Sequence, residues 1–84
     1  MDKELLKQKV CAAIDAHADK IKAICASIND EPELGFKEVK TSAKVAEFMR
    51  ELGLEPQTGL AINGVKARAK GGKPGPTAAV LGEL

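Results

Sequence analysis

Few side chains in this 84-residue chain have a type and spacing that could do chemistry. His17 is the only histidine, and the two cysteines, Cys11 and Cys25, stand fourteen residues apart in what reads as one helix. At 1.5 Å rise per residue that separation is roughly 21 Å, far beyond disulfide reach. With no CxxC and no second histidine, a closed zinc site of four ligands is unsupported, and both thiols read as buried or half-buried structural cysteines. Glu33 and Glu38 invite a general acid and base pairing. They fall in a linker and a helix first turn, where carboxylates are favoured by the helix dipole, so a structural role is expected for both. The run Gly71-Gly72-Lys73-Pro74 superficially suggests a phosphate loop, but Pro74 stands where that pattern needs Ser or Thr, and no helix follows.

The elements that must position these groups are legible from periodicity. Leu6, Val10, Ile14, Ile21, Ile24 and Ile28 recur at three-and-four spacing, which predicts one long amphipathic helix from about Lys3 to Ile28 with His17 on its apolar stripe, partly buried and hydrogen-bonded. Asn29-Asp30-Glu31-Pro32 ends it. A second helix is expected from about Lys37 to Leu52, its buried side marked by Val39, Ala43, Ala46, Met49 and Leu52, with Gly53 as a left-handed C-terminal cap and Leu54 folding back on the last turn. The period then changes to two. Val65, Ala67 and Ala69 alternate with Lys66, Arg68 and Lys70, predicting a strand with one apolar and one basic face. Asn63-Gly64 is suited to a tight turn joining it to a short strand near Glu55 to Thr58, although Gly59 to Ile62 leaves room for a longer loop. After the turn-forming run Gly71 to Pro76, Thr77 to Leu84 is nearly all apolar, the pattern of a strand covered on both faces. The expected fold is therefore α/β: two N-terminal helices followed by about three strands forming part of a mixed sheet. The expected context is an incomplete catalytic domain, a larger enzyme cut within that last strand.

Four segments in register carry a family likeness. They are Glu31-Pro32-Glu33-Leu34-Gly35-Phe36-Lys37-Glu38 with Lys40-Thr41-Ser42, then Ala46 to Leu54, Lys70 to Thr77, and Leu81-Gly82-Glu83-Leu84. Over about Ile24 to Leu84 the chain resembles the N-terminal part of the dizinc aminoacylase and carboxypeptidase superfamily. The likeness is greatest to its amidohydrolase branch of N-acyl-amino-acid, hippurate and aminobenzoyl-glutamate hydrolases. The resemblance implies that residues 1–84 are the N-terminal fragment of a metal-dependent amidohydrolase catalytic domain, whose parent hydrolyses an amide with water activated between two divalent metals, zinc being the metal expected. It implies that Glu83 marks the position of the family's metal motif, where the peptidase branches carry a ligating His. It implies that the remaining ligands fall beyond this chain, so no catalytic or metal residue is assigned here and the chain alone is expected to be inactive.

Composition bounds the alternatives. The formal net charge is +1 and 44% of residues are hydrophobic, ordinary values that point to no polyanionic partner. Lys66, Arg68, Lys70 and Lys73 form the one basic strip, but it lacks interleaved aromatics, so it reads as a solvated strand face and no nucleic-acid partner is expected. The charged start has no signal-peptide core and no apolar run approaches a membrane span, so a cytoplasmic protein without a membrane partner is expected. Self-association is expected through the Ala79 to Leu84 strand edge or the Ile14 to Ile28 helix stripe, which makes a small self-associating module the rival to the enzyme-fragment reading.

Overall fold

The computed structural model describes residues 2–84. It divides into two units, one ending at Glu31 and one beginning at Pro32.

The first unit is helical. Helix α1 (Lys3–Ala16) starts at Asp2, whose carboxylate accepts the Leu5 N–H at 2.8 Å and so satisfies one of the orphan donors of the first turn. Helix α2 (Ala18–Asp30) follows after the single residue His17, at φ −107° and ψ 10°. The predicted continuous helix is thus interrupted at its middle. Its bonding pattern nevertheless survives on each side, with His17 N–H donating to the Ala13 carbonyl and Ile21 N–H to that of His17. Neither helix has a buried residue, and Leu5, Leu6, Val10, Ile14 and Ile21 are all exposed. His17, Cys11 and Cys25 are exposed too, with both thiols free, which corrects the expectation of buried cysteines and a half-buried imidazole. The physical reason is that an apolar stripe buries its neighbours only when a second layer covers it, and this unit has none.

The second unit is one helix on a two-stranded hairpin. Helix α3 (Val39–Glu51) packs against strands β1 (Gln57–Leu60) and β2 (Gly64–Lys66), which pair antiparallel. The buried residues of α3 are Thr41 and Ala46, each 3% exposed, with Ser42, Val45 and Met49 half-buried beside them. The covered face is therefore turned away from the expected one: Val39, Ala43 and Leu52 lie outside it. The hairpin offers too narrow a floor to cover the whole apolar stripe.

Both ends of α3 are closed by hydrogen bonds. At its C-terminus Leu54 N–H donates to the Met49 carbonyl at 3.0 Å and Gly53 N–H to the Arg50 carbonyl at 2.9 Å, with Gly53 at φ +82°. This is the Schellman arrangement, and it matches the expected glycine cap.

The hairpin differs from its sequence expectation. Its register pairs Gln57 with Lys66 and Leu60 with Gly64, so β1 holds one residue more than β2 between the same two pairs. Gly59, at φ +71°, accommodates that bulge. The turn itself uses Ala61 and Ile62 at φ +46° and +82°, a left-handed conformation that a β-branched residue adopts only under strain. Gly64 opens β2 instead of forming the turn. A Cβ there would sit 2.5 Å from the Leu60 carbonyl oxygen, so the need for glycine is close backbone approach.

Among the described residues the fold is thus three helices and a two-stranded antiparallel sheet, and the expectation of two helices followed by about three strands is corrected on both counts. The basic-faced strand stops at Lys66, and residues 77–84 form no strand, leaving Val80 99% and Leu81 94% exposed. A strand apolar on both faces needs cover on both, and α3 provides a single layer on a short hairpin.

Two substitutions test the backbone constraints. Gly53→Val should cost at least about 1–2 kcal/mol, the penalty for a side chain in the left-handed region, whereas Gly71→Ala, in open space without a positive φ, should leave the denaturation midpoint nearly unchanged. Equal midpoints would reject the cap. Gly64→Ala should lower the midpoint by forcing the two strands apart at Leu60, and an unshifted midpoint with intact strand signals in amide exchange would reject the close approach.

Candidate functional site

The polar groups that the second unit brings together lie at the start of α3. Glu33 sits in the loop before the helix, where Lys37 N–H donates to the Leu34 carbonyl at 2.9 Å and Phe36 takes the left-handed position at φ +60°. That turn returns the Glu33 carboxylate to the helix. It accepts the Thr41 N–H at 2.7 Å, the Lys40 N–H at 3.1 Å and the Thr41 hydroxyl at 2.9 Å. Two orphan donors of the first turn are thereby satisfied by a side chain seven and eight residues upstream. The Thr41 N–H is the largest of several influences holding the Glu33 carboxyl below its ordinary range. Partial desolvation opposes it, and the Lys40 N–H, the Thr41 hydroxyl and the Lys40 charge assist.

A carboxylate so held is a poor proton carrier near neutrality. It stays ionised, and its lone pairs are committed to the helix. Glu38 is committed as well, its Oε2 accepting from Asn63 Nδ2 at 3.0 Å and tying the start of α3 to the hairpin turn. The two glutamates therefore do not form an acid and base pair. Their structural role was anticipated, but the partners were not: neither Glu33 to Thr41 nor Glu38 to Asn63 follows a short-range capping pattern, so no local signal pointed to them.

Beyond these, an open cleft of about 620 Å³ lies where the chain diverges past the hairpin, between Leu54, Glu55 and Gln57 on one side and Lys66, Arg68 and Lys70 on the other. Its wall is cationic with one carboxylate, which suits solvent and ions but brings no nucleophile to a base. Glu83 is exposed in the stretch without helix or strand. Among the described residues no three His, Cys, Asp or Glu side chains stand close enough to hold a metal ion, so the two divalent metals implied by the resemblance have no cradle within them. No helix is long and apolar enough to cross a membrane among the described residues.

Comparison with known proteins agrees with a hydrolase relationship. The chain is 40% identical over 58 residues to thermostable carboxypeptidase 2 of Saccharolobus solfataricus, covering 68% of this chain and 15% of that protein. The same identity and shares hold for thermostable carboxypeptidase 1 of that organism. It is 31% identical over 79 residues to the amidohydrolase-named protein YhaA of Bacillus subtilis, covering 94% of this chain and 20% of that protein. The chain thus spans about one-seventh to one-fifth of the length of these relatives. No protein-family model matches it, and no solved structure matches it. The similarity supports a peptidase or amidohydrolase relationship at that coarse level.

The Glu33 cap generates a pH prediction. Because its folded pKa lies below the ordinary value of 4.5, its contribution to stability is fully present above that value and is lost as pH falls through the lower, folded one. Glu33→Gln should therefore be less stable than the wild type at neutral pH, and the two unfolding midpoints should converge as pH falls below 4.5. Parallel midpoint curves across that range would show that the carboxylate charge does not hold the helix.

Proposed function

We propose that this chain is scaffold from a metal-dependent hydrolase of N-acyl or peptide-like amides and is inactive by itself. The observation that carries this reading is the 40% identity to two carboxypeptidases over 58 residues, supported by 31% identity to an amidohydrolase-named protein over most of the chain. The four motif segments in the order of the dizinc aminoacylase and carboxypeptidase superfamily support the finer assignment, including zinc as the metal and Glu83 as the register mark of its metal motif. The commitment of Glu33 and Glu38 to the helix start supports a positioning role over a chemical one. On this reading residues 1–84 belong to one catalytic domain, and the described residues contribute its helix and hairpin framework while the reacting groups come from elsewhere in the complete enzyme. A cytoplasmic location fits the same reading.

A second reading, a self-associating module, is favoured by the exposure of Val80 and Leu81 and of Ile14 and Ile21 on the helix stripe.

A chimera separates scaffold from unrelated module. The matching stretch of thermostable carboxypeptidase 2 is replaced by the corresponding residues of this chain, and the product should fold, bind its metal and hydrolyse amides at a measurable rate. A folded, metal-loaded chimera without hydrolysis would count against the hydrolase reading. The 84-residue chain alone should show neither stoichiometric tight zinc nor amide hydrolysis; one firmly held zinc per chain together with turnover would overturn its assignment as inactive scaffold.

A further inference from the structure

The dipeptide Asn63-Gly64 carries a reactivity that pairing the strands does not require. A glycine after asparagine leaves its own backbone nitrogen open to the asparagine side chain, because no Cβ shields it. Glycine is nevertheless needed at this place, since a Cβ on Gly64 would sit 2.5 Å from the Leu60 carbonyl oxygen. The hairpin thus closes its strands only by keeping that nitrogen unshielded. Asn63, Gly64 and Glu38 are all half-buried. Asn63 Nδ2 donates to Glu38 Oε2 at 3.0 Å, and because a carboxylate only accepts, it is the amide nitrogen that faces α3. Immediately before Asn63, Ala61 and Ile62 hold left-handed backbone that neither residue favours. The bond to Glu38 therefore anchors a turn that is under strain.

We propose that Asn63 is a site of spontaneous deamidation, held in check by Glu38, and that its conversion to an acid releases the hairpin tip from α3. The Gly64 nitrogen attacks Asn63 Cγ and forms a new N–Cγ bond. The Cγ–Nδ2 bond breaks, and Nδ2 leaves as ammonia with the proton that the Gly64 nitrogen gives up. Water then opens the cyclic imide at one of its two carbonyls, leaving aspartate or, by the other route, isoaspartate. Glu38 opposes the first step in two ways. While Nδ2 donates to it, Cγ is not free to turn onto the Gly64 nitrogen, and the nearby negative charge disfavours deprotonation of that nitrogen. Once ammonia has left, the relation reverses. The donor facing Glu38 is replaced by a second carboxylate, so an attraction becomes a repulsion between like charges. The isoaspartate product also lengthens the backbone by one methylene before Gly64, where the approach to Leu60 leaves no slack. Either product removes the anchor from the Ala61-Ile62 turn, and the change is one-way. The inference stands apart from the hydrolase reading, because it uses only the hairpin and the start of α3.

The test follows the full 84-residue chain during long incubation at neutral pH, with peptide mapping that separates aspartate from isoaspartate. Asn29, followed by Asp30 within α2, is the internal control. Conversion is expected at Asn63 well ahead of Asn29, and at least about tenfold slower in the folded chain than in urea, because the attack requires the tip to open locally. Glu38→Ala should accelerate it several-fold. The product is tested separately by Asn63→Asp, which should lower the unfolding midpoint and the amide-exchange protection of the hairpin. Adding Glu38→Gln to that variant should restore both in part, since the glutamine amide can donate to the new carboxylate, and the two changes should therefore be non-additive. Conversion at Asn63 no faster than at Asn29, equal rates in folded and unfolded chain, or a folded Glu38→Ala variant that converts no faster would each overturn the proposal. So would an Asn63→Asp variant with unchanged midpoint and hairpin protection, a result that does not depend on whether Glu38→Ala folds.

Discussion

The second unit depends on a single constraint: the donors at the start of α3 must be satisfied by groups that the short helix does not itself contain. Four N–H groups at a helix start have no partner within the helix, and leaving them unpaired beside a buried Thr41 is costly. Glu33 supplies two of those bonds and a third to the Thr41 hydroxyl, so one carboxylate organises the loop, the first turn and the most buried polar side chain at once. The left-handed backbone at Phe36 is part of the same solution, because the loop has to turn back for that carboxylate to reach the helix. Gly53 performs the complementary task at the other end, where the chain must leave the helix and enter β1.

From those closed ends the rest of the unit follows. The hairpin is held to α3 through Ala46 and its half-buried neighbours and through the bond between Asn63 and Glu38, which anchors a turn whose Ala61 and Ile62 are in unfavourable backbone conformations. That bond spans 25 residues and joins the start of the helix to the hairpin tip. Among the described residues only Thr41 and Ala46 are buried, so the apolar core beneath α3 is small.

This economy bears on function. A catalytic carboxylate must be free to exchange a proton or coordinate a cation, and the two glutamates best placed to attract attention are instead committed to the backbone of α3 and to Asn63. Exposed apolar residues are plentiful elsewhere, along α1 and α2 and from Val80 onward, so what the chain offers to its surroundings is surface to be covered. The positioning framework proposed above fits both features.

By itself the sequence determined the parts whose signals are local. The existence of α3 and its end at Gly53 rest on neighbours within a few residues. The hydrolase resemblance was also legible, in motifs spread along Glu31 to Leu84, and the relatives agree with it at a coarse level. What only the tertiary structure decided were matters of long range. Periodicity alone did not mark the interruption at His17, the rotation of the covered face of α3 away from Val39 and Leu52, or the replacement of an Asn-Gly turn by one through Ala61 and Ile62. The same holds for the absence of a strand at Thr77 to Leu84, since an apolar run states that a segment requires cover while saying nothing of whether cover is there. Local capping and period depend on bonds that the chain closes over three or four residues. Burial depends on which surfaces meet, and that is a property of the assembled layers.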